Sequence, residues 1–334
     1  MTPLLSVKDL HVSLPTAHGP AEAVRGVSFD LQKGETLGIV GESGCGKSMT
    51  ALALMGLLPE GGRAGGHVVF QGEDLLAADE AKLCDLRGNR LAMIFQEPMT
   101  SLNPLHRIGD QIAEPLRLHR GLSRRQAREQ AVALLDRVGI AHPRERLDAY
   151  PHQLSGGQRQ RVMIAMALSC DPELLIADEP TTALDVTIQG QILDLIHDLV
   201  ESSGMALILI SHDLGVVAET AQRVMVMYAG RIVEAGPVRE VFADLAHPYA
   251  RGLFAAIPGL PRAAKDATGY PRPPLPTIPG VVPELHALGP ACAFADRCGL
   301  SEPRCRTDMP PDVFLSPRHW AKCWRTDAAR SLLP

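Results

Sequence analysis

The chain has 334 residues, of which 46% are hydrophobic and 21% charged, an ordinary globular composition with room for one large α/β core and a smaller appendage. Its formal net charge of −5 argues against a nucleic-acid binder that relies on a general positive field, and 4% aromatic residues leave few platforms for stacking bases or sugars. No stretch reaches the roughly 18 consecutive apolar residues that span a bilayer, and the opening, Met1 to Asp9, lacks the basic, apolar and small-residue order of a secretory signal. A cytosolic protein is expected, with its seven cysteines as reduced thiols or ligands rather than disulfides.

Leu4 to Leu14 and Ala23 to Leu31 alternate apolar and polar residues, which predicts two antiparallel strands over a core. Thr36-Leu37-Gly38-Ile39-Val40 is a short apolar run of the kind buried in a parallel sheet. Directly after it, Gly41-Glu42-Ser43-Gly44-Cys45-Gly46-Lys47-Ser48 matches the phosphate-loop pattern G-x-x-x-x-G-K-S/T, and Lys47 to Leu58 reads as the helix that the loop opens. Strand before and helix after turn the pattern into a mechanism. Glycines let successive backbone N–H groups converge on phosphate oxygens of ATP, and the helix N-terminus adds positive potential. Lys47 is expected to carry a mobile charge to the β- and γ-phosphates, while the Ser48 hydroxyl can ligate Mg²⁺. The bland alternative is an accidental Gly-rich turn, which the flanking elements disfavour.

Leu91 to Phe95 is the next buried-strand candidate, and Ile108 to Arg161 then changes character. Gln126 to Val138 carries apolar residues at helical spacing among Arg, Glu and Gln, as an inserted helical subdomain would. Leu174 to Ala177 and Ala206 to Ile210 restore the βα alternation. The first of these ends in Asp178-Glu179, two carboxylates delivered to the sheet edge where nucleotides bind. Asp178 is expected to hold Mg²⁺ through water, and Glu179 to orient or deprotonate the attacking water. Alone, such a pair more often caps a helix; beside a phosphate loop the catalytic reading dominates. His212 follows the second strand, where a neutral imidazole donates to a γ-phosphate. Ile257 to Pro283, rich in Pro and Gly, reads as an extended connector, and four of the seven cysteines lie beyond it.

Leu154-Ser155-Gly156-Gly157-Gln158-Arg159-Gln160-Arg161 resembles the signature motif of ABC ATPases, with Ser155 and the N–H groups of Gly156 and Gly157 at the start of a helix running to Leu168. By this resemblance Ser155 to Gln158 face the γ-phosphate held by a second ATPase subunit, a copy or a paralogue. Gln96 matches the glutamine loop that senses Mg²⁺, Ala183-Leu184-Asp185 the loop that crosses the dimer interface, and His212 the switch histidine. Where the family places an aromatic residue to stack on adenine, this chain has Leu14, with His11 nearby, so adenine packing is expected to be aliphatic.

Three stretches resemble the ATP-binding subunits of dipeptide and oligopeptide importers, a group that also serves nickel and glutathione. They are Gln96 to Pro104, His247-Pro248-Tyr249, and Leu275 to Cys298 with Ile278-Pro279-Gly280-Val281-Val282-Pro283 at its centre. The resemblance implies an α/β ABC-type ATPase domain over residues 1–258, with an antiparallel β subdomain and a helical subdomain at about 97–165. A C-terminal extension follows over 259–334. It further implies two transmembrane permease subunits, an extracytoplasmic solute-binding protein, a peripheral place on the cytoplasmic face of the inner membrane, and no nucleic acid. Cys292, Cys298, Cys305 and Cys323 are unevenly spaced and lack the paired C-x-x-C of a zinc ribbon. They suit an iron–sulfur cluster or a tetrahedral metal, or are unrelated thiols; the resemblance implies a 4Fe–4S cluster. A soluble ABC protein of translation or DNA maintenance is the rival from another class. One phosphate loop, one signature and no long heptad run disfavour it.

Overall fold

The structure is a computed structural model of the whole chain and describes residues 2–96, 101–182, 185–257 and 277–331. The described residues form twelve strands: β1 (Leu5–Thr16), β2 (Gly19–Leu31), β3 (Thr36–Val40), β4 (Arg63–Phe70), β5 (Glu73–Asp74), β6 (Leu91–Ile94), β7 (Leu174–Asp178), β8 (Ala206–Ser211), β9 (Arg223–Tyr228), β10 (Arg231–Pro237), β11 (Asp312–Phe314) and β12 (Trp320–Lys322). They make two sheets. A four-stranded antiparallel sheet runs β2-β1-β4-β5, and an eight-stranded mixed sheet runs β11-β12-β10-β9-β3-β8-β7-β6.

In the mixed sheet β6, β7, β8, β3 and β9 are parallel, so the carboxyl ends of all five lie along one edge. Every residue of β3, β7 and β8 is buried, the mark of strands covered on both faces. One face packs on the antiparallel sheet through Leu5, Val7, Leu10, Phe29 and Ile39. The other packs on helices through Val40, Ile164, Ala177, Ile192 and Leu209. The α/β class with a β subdomain and a helical insert is therefore what the chain adopts.

Several boundaries differ from the sequence expectation. The hairpin strands are longer than the apolar alternation, running to Thr16 and from Gly19, because the cross-strand ladder continues past the last core residues. The helix opened by the phosphate loop spans Lys47–Leu54, not Lys47 to Leu58, since Gly56 at φ 63 turns the chain away. β4, β5, β9, β10, β11 and β12 were not expected at all, the last two having only three residues each. The helical insert contains Ile108–Arg120, Arg124–Arg137 and Gly156–Ala167. Ser123 and Gln126 form a reciprocal cap that starts the second of these. Ile112, Leu116, Ala131 and Leu135 are buried among them, each large side chain worth about 2 kcal/mol.

The C-terminal segment is bolted to the same sheet. β12 pairs with β10, and Phe294 belongs to the main core. The boundary expected near Pro258 and most of the Pro-rich connector lie outside the described residues.

Candidate functional site

The site begins where β3 ends. Gly41 to Gly46 leave the sheet at Val40 and lead into the helix Lys47–Leu54. Gly46 adopts φ 105, and a Cβ there would stand 2.5 Å from the carbonyl oxygen of Ala23, so only glycine fits. Ser43 and Gly44 are exposed at the loop crest, while Cys45 is fully buried and its thiol is pushed up by that burial. Lys47 is buried too. Its Nζ donates to the carbonyl oxygens of Gly41 at 2.8 Å and Glu42 at 3.1 Å, and lies 3.8 Å from Glu179 Oε1.

The ends of β6, β7 and β8 face this loop. Ser48 Oγ donates to Asp178 Oδ1 at 3.1 Å, and burial raises the Asp178 carboxyl above its ordinary range. Glu179 takes a left-handed backbone at φ 46, a strained choice for a non-glycine residue, with its amide held by the carbonyl of Ile210. Its Oε2 accepts from Gln96 Nε2 at 3.3 Å and Thr182 Oγ1 at 3.0 Å, and stands 3.2 Å from His212 Nδ1. Four separate elements thus meet at one carboxylate. Such a group can hold a water between an acceptor and a phosphate.

Ser155 to Gln158 form a second feature. Ser155 caps the helix Gly156–Ala167, accepting from the Gln158 amide, while the Gln158 side chain takes the Ser155 amide. Ser155 and Gly156 are exposed, at a helix start with no hydrogen bond among those described to the Lys47–Glu179 group. Asp185 is likewise exposed and precedes the helix Val186–Ser203, while Ala183 and Leu184 lie outside the described residues. His11 is paired with Asp9 and Glu22 at the surface, and Leu14 packs partly buried on the core beneath the hairpin.

Three contacts escaped the sequence reading. Thr182 touches the Glu179 carboxylate, and Gln160 donates to the carbonyl of Pro180 just beyond it. The Tyr249 hydroxyl accepts from the Glu42 amide at 2.7 Å. Of these, Tyr249 left a trace in the sequence inside His247-Pro248-Tyr249 and Gln160 inside Leu154 to Arg161, whereas Thr182 left none.

Cys292, Cys298, Cys305 and Cys323 come together around one pocket, with His247, Phe294 and Trp324 among the other residues of its wall. Burial pushes the Cys323 thiol up to about 11 and those of Cys292 and Cys298 in the same direction. The Arg325 amide donates to Cys323 Sγ at 3.3 Å, and two buried polar atoms, Trp324 Nε1 and Ser301 Oγ, have no hydrogen-bond partner among the described residues. Among the described residues no three His, Cys, Asp or Glu side chains gather closely enough for a single ion.

Comparison with known proteins agrees with this geometry. Residues 24–182 match the family described as ABC transporter, and residues 233–305 match the oligopeptide/dipeptide transporter C-terminal region. A probable peptide ABC transporter ATP-binding protein of Sinorhizobium fredii is 52% identical over 98% of this chain and 97% of its own length. The oligopeptide transport ATP-binding protein OppD of Salmonella typhimurium is 49% identical over 96% of this chain and 93% of its own. For the dipeptide transport ATP-binding protein DppD of Bacillus subtilis the figures are 47%, 98% and 96%. Among solved structures, a dimeric ATP-binding cassette in a post-hydrolysis state with ADP and Pi superposes with a TM-score of 0.63. It is 27% identical, covering 70% of this chain and 99% of that one. The chain belongs to the ATP-binding subunits of ABC transporters, in their oligopeptide/dipeptide branch.

Proposed function

We propose that this ABC ATPase binds ATP at the loop Gly41–Ser48 and hydrolyses it to drive a membrane importer of di- or oligopeptides. The observation that carries the chemistry is the convergence of Lys47, Gln96, Thr182 and His212 on Glu179, beside the Ser48–Asp178 pair. With ATP bound, the ammonium of Lys47 exchanges its carbonyl partners for β- and γ-phosphate oxygens. Glu179 accepts a proton from, or orients, the water that attacks the γ-phosphorus, and His212 donates to the γ-phosphate. Ser48, Asp178 and Gln96, whose oxygens flank this space, would hold Mg²⁺; the ion, when bound, neutralises charge on the phosphates. Ser155, Gly156, Gly157 and Gln158, with Asp185, serve the phosphate of a second ATPase subunit, which explains why they lie apart within one chain. ATP then acts as a bond between subunits, and closure shifts the equilibrium of two permease subunits fed by an external solute-binding protein.

No helix among the described residues is long and apolar enough to cross a membrane; membership of the peptide-importer ATP-binding subunits is what supports a peripheral place on the cytoplasmic face of the inner membrane. Residues 1–258 form the catalytic unit in this reading, and 259–334 the extension. The four cysteines fit a 4Fe–4S cluster. The four thiols line one pocket, beside buried donors on Trp324 and Ser301 that have no hydrogen-bond partner among the described residues, and four thiolates are the donor set such a cluster takes. Cys292, Cys298, Cys305 and Cys323 would hold it, and its contribution there is structural.

The test is uptake by the chain reconstituted with its permease pair in proteoliposomes. ATP-dependent accumulation of labelled peptides, absent for nickel and glutathione, is the expected outcome. Uptake of nickel or glutathione alone would reassign the solute, and failure to associate with any permease would end the transport reading.

A further inference from the structure

Arg297, between Cys292 and Cys298 in sequence, reaches across the molecule to the phosphate loop. Its Nη1 donates to Glu42 Oε2 at 2.7 Å and its Nη2 to Glu42 Oε1 at 2.9 Å, a bidentate pair. The guanidinium side chain is 6% exposed. Its Nε donates to the carbonyl of Pro279 at 2.8 Å, Nη1 reaches the Tyr228 hydroxyl at 3.4 Å, and the rings of Tyr228 and Phe294 lie under it. Nothing about this arrangement is loose. Glu42 is anchored a second time, through its amide to Tyr249.

Glu42 poses a problem for the loop that holds it. A loop that receives a polyanion carries a carboxylate at its second position, one residue from the Gly41 carbonyl that Lys47 contacts. An unpaired charge there, partly buried in the loop read as the phosphate cradle, opposes binding of a polyanion. We infer that Arg297 is a positioning residue of the ATP site: it neutralises Glu42 and fixes the entrance of the phosphate loop to the cysteine-bearing lobe. The inference rests on the reading of Gly41–Ser48 as the nucleotide site, and concerns the chain's own side chains alone. Arg297 acts through Glu42 and touches no reacting atom.

The experiment is a charge series measured by calorimetric titration of the full-length protein with MgATP. Wild-type carries a balanced pair. Arg297→Ala leaves a net negative charge and should weaken MgATP about tenfold. Glu42→Gln leaves a net positive charge and should tighten it, and the double variant should return to within about threefold of wild type. ATP turnover at saturation should change little in Arg297→Ala, so the loss falls in KM, and Arg297→Lys should recover part of it. Thermal melting of each variant reports whether the lobe stays folded. If both single variants weaken binding and the double is weaker still, Arg297 is only a strut and the inference fails. It fails as well if Arg297→Ala binds MgATP like wild type. If wild-type protein itself binds no MgATP, the reading of the loop has failed instead.

Discussion

The strand-end site and the four-cysteine lobe are built by opposite means. At the strand ends, position comes from the backbone: β3, β6, β7 and β8 are parallel and wholly buried, so the residue that follows each strand is delivered to the same edge. Side chains there need few supports of their own. In the lobe the regular elements are two strands of three residues, short 3₁₀ turns and one helix of six residues. Position must come instead from individual side-chain anchors, Glu234–His319 and Arg297–Glu42, and from whatever the thiols hold. One region is a scaffold with chemistry at its tips. The other is stapled to that scaffold.

If that distinction holds, perturbing the two regions should give separable effects. The largest is expected at the composite edge. Ser155→Arg puts a bulky cation at an exposed helix start where the proposed composite site seats another subunit's phosphate, so nucleotide-dependent dimerisation and hydrolysis should vanish while single-subunit MgATP binding and melting stay normal. Gel filtration with ATP, in a Glu179→Gln background, reads the dimer; a dimer that survives the arginine contradicts the composite site. Next comes Glu234, fully buried, whose carboxylate takes the amides of Ala246 and His247 at 2.9 Å each and His319 Nε2 at 2.8 Å. Glu234→Ala strands all three partners and should cost about 3–5 kcal/mol, a loss on the order of 10 °C in melting temperature. MgATP binding below the new midpoint should persist. Glu179→Gln is the mirror image: turnover should fall at least about a hundredfold, equivalent to nearly 3 kcal/mol of barrier, with unchanged melting. Phosphate release measures the first and calorimetry the second. Near-normal hydrolysis would move the base to another residue.

The same distinction explains what the amino-acid sequence disclosed. Gly41 to Ser48 was legible as a contiguous run, and Asp178-Glu179 and His212 because they lie at or just beyond the end of a buried strand, whose burial leaves a continuous apolar signature; Ser155 to Gln158 was read through the resemblance. Gln96 was legible only by resemblance. Thr182 was not, because a threonine three residues after a glutamate carries no pattern of its own. β11 and β12 are too short for a period-two pattern, and β9 and β10 were overlooked although wholly or nearly buried. Glu42 and Arg297 are 255 residues apart and Glu234 and His319 are 85 apart, so no local rule links either pair. The end of the first helix was overrun because the apolar Leu57-Leu58 outweighed Gly56.

Cys298→Ser is the mildest perturbation and the most direct probe of the staple. The lobe buries Phe294, Ala295, Ala321 and Ala329 but few other apolar side chains, too small a core to order it unaided. A cluster shared by four cysteines would tie residues 292–323 into one piece, so losing one ligand should release the iron before it loosens the lobe. Anaerobically prepared wild-type protein should contain about four irons per chain and absorb broadly in the visible. In Cys298→Ser that absorption should bleach, and trypsin should cut after the exposed Arg304 and Arg306. The Glu234–His319 and Arg297–Glu42 anchors remain, so MgATP affinity should fall by no more than about threefold, well short of Arg297→Ala. Stoichiometric zinc in place of iron would make the staple a zinc site. Wild-type protein with no metal and four freely titrating thiols would mean that the side-chain anchors alone hold the lobe.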